Sequence, residues 1–245
     1  QLRWYQCLGG VLGSWLVVSS SLCVPRLGLS LYVVALISGL IVAGVVVDAL
    51  GLGPAGRRPP STPRVLGALI ALSAVTLEVA PELLTSGFSA TTPFYALLAF
   101  SAGCGVAVQQ AINGRVARAT GEPLVSGWLN FVTGAVALLL VTVLLAAIHV
   151  TPLEPVQIMP WWAITPGFLG AAFVSLAAWS VGAIGVLRLG LLSVAGQIIT
   201  AFAFDLVNPM VGISMDQRTA IACALALLAA YVSSRVPKAH VPNHT

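Results

Sequence analysis

Gln109 and Asn113 stand four residues apart in an otherwise apolar stretch, with Gln110 between them and Asn130 following in the next apolar run. On a helix that spacing puts Gln109 and Asn113 on one face. Amide side chains donate and accept hydrogen bonds. Surrounded by apolar residues, they either bind a polar solute or tie helices together, at about 0.6 kcal/mol per bond in a membrane. Gln197, beside Gly196 and about ten residues into a later run, has the same two readings and lies at the depth where transport sites occur. Trp179, Ser175 and Thr200 are further candidates to line a cavity. Asp48 and Asp205 each close an apolar run. To couple proton movement they would need pKa values raised by burial; otherwise each ends its run at the membrane surface, bonded to turn amides near Gly51 or Asn208. Glu78 and Glu82, one helical turn apart, either draw cations to the mouth of a pathway or end a helix in solvent.

Other chemistries lack their residues. No glycine-rich phosphate loop, nucleophile–histidine pair or working pair of carboxylates is evident, so the chain is not read as an enzyme. His149, His240 and His244 have no second ligand nearby for a metal, and no cofactor is expected. Cys7, Cys23, Cys104 and Cys223 sit singly in apolar runs and read as reduced packing residues. The net charge of +4 comes from basic residues scattered between apolar runs, without the clustered aromatic pattern that nucleic acid requires.

The elements that must position these residues follow from composition. Of 245 residues, 58% are hydrophobic and 7% charged, with a mean hydropathy of +1.01. A soluble domain carries about 25% charged residues, so the solvent for most of this chain is lipid. Spans of about 20 apolar residues fall near Trp4–Val24, Gly28–Leu50, Arg64–Leu84, Phe94–Asn113, Pro123–His149, Pro160–Gly182, Leu187–Val207 and Arg218–Ser234. The expected fold class is therefore an all-α integral membrane protein with about eight transmembrane helices. Trp4, Trp161 and Trp162 suit the interfacial aromatic belt.

With eight spans, Arg3, Arg57, Arg58, Arg64, Arg115, Arg118, Arg188, Arg235 and Lys238 fall on one side and only Arg26 and Arg218 on the other. The positive-inside rule then makes both termini cytoplasmic. An internal repeat adds architecture. Trp4–Asp48 aligns without a gap to Trp161–Asp205, with ten of 45 positions identical, among them Gly10, Gly13, Gly28, Gly39 and Asp48. The shift from one copy to the other crosses five spans, an odd number, so they run in opposite directions, as in transporters built from inverted repeats. Residues 1–87 are expected to be a truncated first repeat of three spans, 88–237 a complete second repeat of five, and 238–245 a cytoplasmic tail. The chain opens at Gln1 without a methionine, and the repeat predicts a ten-span parent with two more spans upstream.

The stretch Gly105-Val106-Ala107-Val108-Gln109-Gln110-Ala111-Ile112-Asn113-Gly114-Arg115, followed by Asn130-Phe131-Val132-Thr133-Gly134, resembles the YdcZ-type family of the drug/metabolite transporter superfamily, alongside EamA-type transporters. Gly196-Gln197, Asp205, Gly10–Gly13, Gly39 and Asp48 fit the same pattern, although Leu40 stands where Gln197 stands in the second repeat. The resemblance implies a bacterial-type inner-membrane exporter of a small metabolite or drug-like solute, working by alternating access. Its expected site lies between spans Phe94–Asn113 and Leu187–Val207, with Gln197, Gln109, Gln110, Asn113, Asn130 and Trp179 as substrate contacts and Asp48 and Asp205 as coupling groups. The expected partners are a small molecule and the bilayer; self-association is left open. Two rivals stand beside it. A passive channel lacks a charge ring or carbonyl filter here, and a lipid-modifying enzyme would need Glu78, Glu82 or His149 to be catalytic.

Overall fold

The computed structural model describes residues 4–85, 90–148, 160, 164–207 and 217–235. Among them the backbone forms a short 3-10 turn, Trp4–Leu8, and eight helices: α1 (Gly9–Leu27), α2 (Leu29–Leu50), α3 (Thr62–Thr85), α4 (Thr92–Thr120), α5 (Pro123–Ala147), α6 (Thr165–Ile184), α7 (Val186–Val207) and α8 (Gln217–Ser234). No strand occurs among the described residues, as lipid requires of a chain that does not close a barrel. Five helices are long and apolar enough to cross a membrane: α1, most of α2, α4, α5 and α6. In α3, α7 and α8 the apolar helix over described side chains is shorter, Thr62–Leu77, Val186–Gln197 and Ala220–Ser234.

Local chemistry sets the boundaries. Pro93, Pro123 and Pro166 lie in the first turn of α4, α5 and α6, where a missing N–H costs nothing. Gly28 (φ 76°) and Gly185 (φ 86°) let the chain leave α1 and α6 and start α2 and α7 after one residue, a backbone that L side chains rarely adopt. These two glycines occupy equivalent places in the sequence repeat.

The core is built where helices meet. Ile37 and Ile41 of α2 pack with Ala71 and Val75 of α3, Leu187 and Leu191 of α7 and Ala229 of α8. A second cluster joins Val47 of α2, Ala107 and Ala111 of α4, Val181 of α6 and Leu189 of α7. Many core residues are alanine, and backbones approach closely. A methyl group on Gly39 would collide with the Phe100 carbonyl of α4, one on Gly103 with the Leu36 carbonyl of α2, and one on Gly10 with the Asn130 carbonyl of α5. Dispersion between close backbones holds helices together where lipid removes the hydrophobic drive.

Two expected details change. The fourth span was expected to end at Asn113, but α4 continues to Thr120, and from its last turns Arg115 and Arg118 reach across to the carbonyls of Gly51 (2.9 Å) and Pro54 (2.5 Å). The fifth ends at Ala147 rather than His149. Trp161, Trp162, His149, His240, His244, Arg3 and Lys238 lie outside the described residues, as do the side chains of Glu78, Glu82, Cys223 and Arg218.

Candidate functional site

The polar residues that the sequence singles out fall into three places. The first is an amide cluster on α4 and α5. Asn130 Oδ1 accepts from Gln109 Nε2 (2.7 Å) and from Asn113 Nδ2 (3.0 Å), and Ser126 Oγ donates to the Asn113 carbonyl (2.7 Å). All four side chains are buried. The cluster lies against the glycine face of α1: a methyl on Gly9 would come within 2.5 Å of Asn113 Oδ1, and one on Gly13 within 2.7 Å of Gln109 Nε2. Gln109, Asn113 and Asn130 are therefore largely satisfied by one another across two helices. Gln110 is different. It is as buried as they are, yet its Oε1 has no hydrogen-bond partner among the described residues. An unsatisfied buried carbonyl costs about 1–3 kcal/mol, which makes Gln110 the member with binding capacity left over.

The second place is a recess of about 460 Å³ on α6 and α7, lined by Phe173, Ser193, Gly196, Gln197 and Thr200. Gln197 and Thr200 are exposed there, and the Ser193 hydroxyl is turned back to the Leu189 carbonyl at 2.9 Å. An amide and two hydroxyls gathered on an apolar helix do not suit a lipid face. Gln197 is thus placed in a shallow, open recess, but the structure does not bring it to the amide cluster, which faces α1 instead. Trp179 belongs to neither. It is 68% exposed and lines a separate cavity of about 620 Å³ with Gly114, Ala117, Arg118 and Pro123. Ser175 is buried and donates to Ala171 O at 2.8 Å, a local helix bond.

The third place surrounds Asp48, which is 2% exposed. Its carboxylate accepts from the backbone N–H of Val186 (2.9 Å) and Leu187 (3.2 Å), the first residues of α7, and it forms an ion pair with Arg64 of α3. The expected alternative to coupling, a surface carboxylate bonded to the turn before Gly51, is corrected on its partners: the amides belong to a helix more than a hundred residues away. Free N–H groups and the positive end of the helix dipole make the start of α7 a natural carboxylate partner. Asp205 is on the last turn of α7, and its side chain is outside the described part.

Sequence reading missed what the arginines do. Arg58 donates to the carbonyls of Ile184 (2.6 Å) and Ala183 (2.8 Å) at the end of α6. Arg188 donates to Ser233 (3.0 Å) and Ser234 (3.2 Å) at the end of α8. With Arg115 and Arg118 on loop carbonyls, these cations close the exposed C-terminal ends of helices at one end of the bundle. The signal was present as an arginine count on one side, but a count does not tell which carbonyl each will meet.

A family model described as "Putative inner membrane exporter, YdcZ" matches residues 1–77 and 94–232. No curated protein matches the chain.

Proposed function

Since the chain belongs to the YdcZ family of inner membrane exporters, we propose that it is a secondary transporter moving a small metabolite or drug-like solute by alternating access. The observation that carries this reading is the Gln197 recess, a shallow pocket on an apolar helix where the exposed amide of Gln197 and the exposed Thr200 would go unsatisfied in lipid. The pairing of α2 with α7 supports it. These helices are mates in the sequence repeat, both start after a left-handed glycine, and they meet in the core through Ile37, Ile41, Leu187 and Leu191. Two inverted repeats that share such a contact can rock against one another around a central site.

On this reading Gln197 and Thr200 hold the solute's polar groups and Phe173 covers its apolar part. The arginine-rich end faces the cytoplasm. On the same reading residues 1–87 and 88–237 form the two repeats.

Reconstituted protein with a candidate solute gradient tests the proposal. Flux that saturates and shows counterflow is expected, and Gln197→Ala should lower it at least about tenfold, the effect of one lost charge-free hydrogen bond in a site that needs it, while leaving the folded yield unchanged. Flux that never saturates would mean a channel. A cysteine replacing Thr200 that reacts identically with and without solute gradients would count against alternating access.

A further inference from the structure

The loop between α2 and α3, the starts of α3 and α7 and the end of α8 line a half-open cavity of about 430 Å³. Its wall carries Arg57, Arg58, Arg64, Arg188 and Arg235, together with Pro59 and Ser61. Neutral groups anchor most of these guanidinium groups. Arg57 Nε donates to Ala49 O (3.1 Å), Arg58 and Arg188 to the helix-end carbonyls already described, and Arg235 to the Tyr231 hydroxyl, over whose ring it also stacks. Such bonds fix the positions of the cations without neutralising them. Among the described residues the carboxylate that touches them is Asp48, which pairs with Arg64.

Five cations therefore face one anion. Arg64 is 7% exposed, and its buried Nε–H has no acceptor among the described residues. A charged donor left unpaired in a low-dielectric wall is costly, and a concave surface of one sign focuses its field on whatever enters. Planar guanidinium forks fit the oxygens of phosphate in paired hydrogen bonds, better than they fit a spherical anion. The cavity lies within the roughly 300–1,000 Å³ range of small-molecule sites. A general bias of positive charge to one membrane face explains why arginines lie at this end of the bundle. It does not explain five of them lining one cavity against a single carboxylate among the described residues.

We propose that this cavity is a binding site for a phosphate-bearing anion, supplied either by an anionic phospholipid headgroup or by a soluble phosphate. The site is separate from the Gln197 recess and stands whether or not that recess carries solute.

The test uses the full chain in neutral detergent. Retention of phosphatidylglycerol against phosphatidylcholine is read by native mass spectrometry, and binding of inorganic pyrophosphate by calorimetry. Saturable retention of phosphatidylglycerol identifies the headgroup source, and saturable pyrophosphate binding the soluble one; either supports the site. Arg57→Gln with Arg235→Gln removes two exposed cations from the wall and is expected to weaken binding at least about tenfold, as charge-assisted bonds are lost. Ser61→Glu, which adds a carboxylate to the wall and removes no arginine, should act in the same direction. Arg26→Gln removes a cation from the other end of the bundle, away from the cavity and its loop, and should change binding less than about twofold. Absence of both ligands, or weakening by Arg26→Gln equal to that by the wall pair, would overturn the proposal.

Discussion

At the scale of single residues, Asp48 is where burial and charge meet most sharply. A carboxylate that is 2% exposed persists because an arginine and two helix-start amides surround it. Removing one partner of a buried pair leaves the other uncompensated, so Asp48→Asn is expected to cost about 3–5 kcal/mol. Unfolding in mixed micelles measures this. Combining Asp48→Asn with Arg64→Gln should cost less than the sum of the two, because the second change removes the stranded charge. Unchanged stability with an altered pH profile of transport would instead make Asp48 a proton-coupling group. Asn130 poses the same question for neutral groups. Its one carbonyl oxygen serves both Gln109 and Asn113, so Asn130→Ala strands two buried donors and should destabilise by about 1–3 kcal/mol.

At the scale of elements, the two copies of the repeat differ in what covers them. Gly39 on α2 and Gly10 on α1 lie against the backbones of α4 and α5, whereas a methyl group on their mates, Gly196 of α7 and Gly167 of α6, would meet nothing within 4 Å. Phe168, Leu169, Phe173 and Leu176 of α6 are likewise more than half exposed. The contrast predicts unequal mutants at equivalent positions. Gly39→Ala should cost about 1–3 kcal/mol through overpacking and reduce folded yield. Gly196→Ala should stay within about 0.5 kcal/mol in this chain, as measured by thermal unfolding in detergent.

At the scale of the whole molecule, the ends of the bundle are chemically unlike. Arg57, Arg58, Arg64, Arg115, Arg118, Arg188 and Arg235 converge on one end, joined through Gly51, Pro54 and the last carbonyls of α6 and α8. Arg26, in the last turn of α1, lies at the other and stacks over Tyr95 near the start of α4. In a cysteine-free background, cysteines replacing Arg57 and Arg115 should react with an impermeant thiol reagent only from the cytoplasmic side, and one replacing Arg26 only from outside. Labelling of Arg57 and Arg115 positions from opposite sides would dismantle the topology.

The sequence by itself determined that the chain is helical and lipid-embedded, because 7% charge cannot keep so large a surface wet and apolar runs of that length must satisfy their own backbone bonds. It also set the helix order and put the arginines on one side, since both depend only on run lengths and their parity. Pairing was decided in three dimensions. Asp48 meets the start of α7 and Asn130 unites Gln109 with Asn113, while Gln197 stands apart in its own recess. No local pattern encodes these partners, because each depends on which helices pack closely, and that is set by glycine and alanine faces meeting across the bundle.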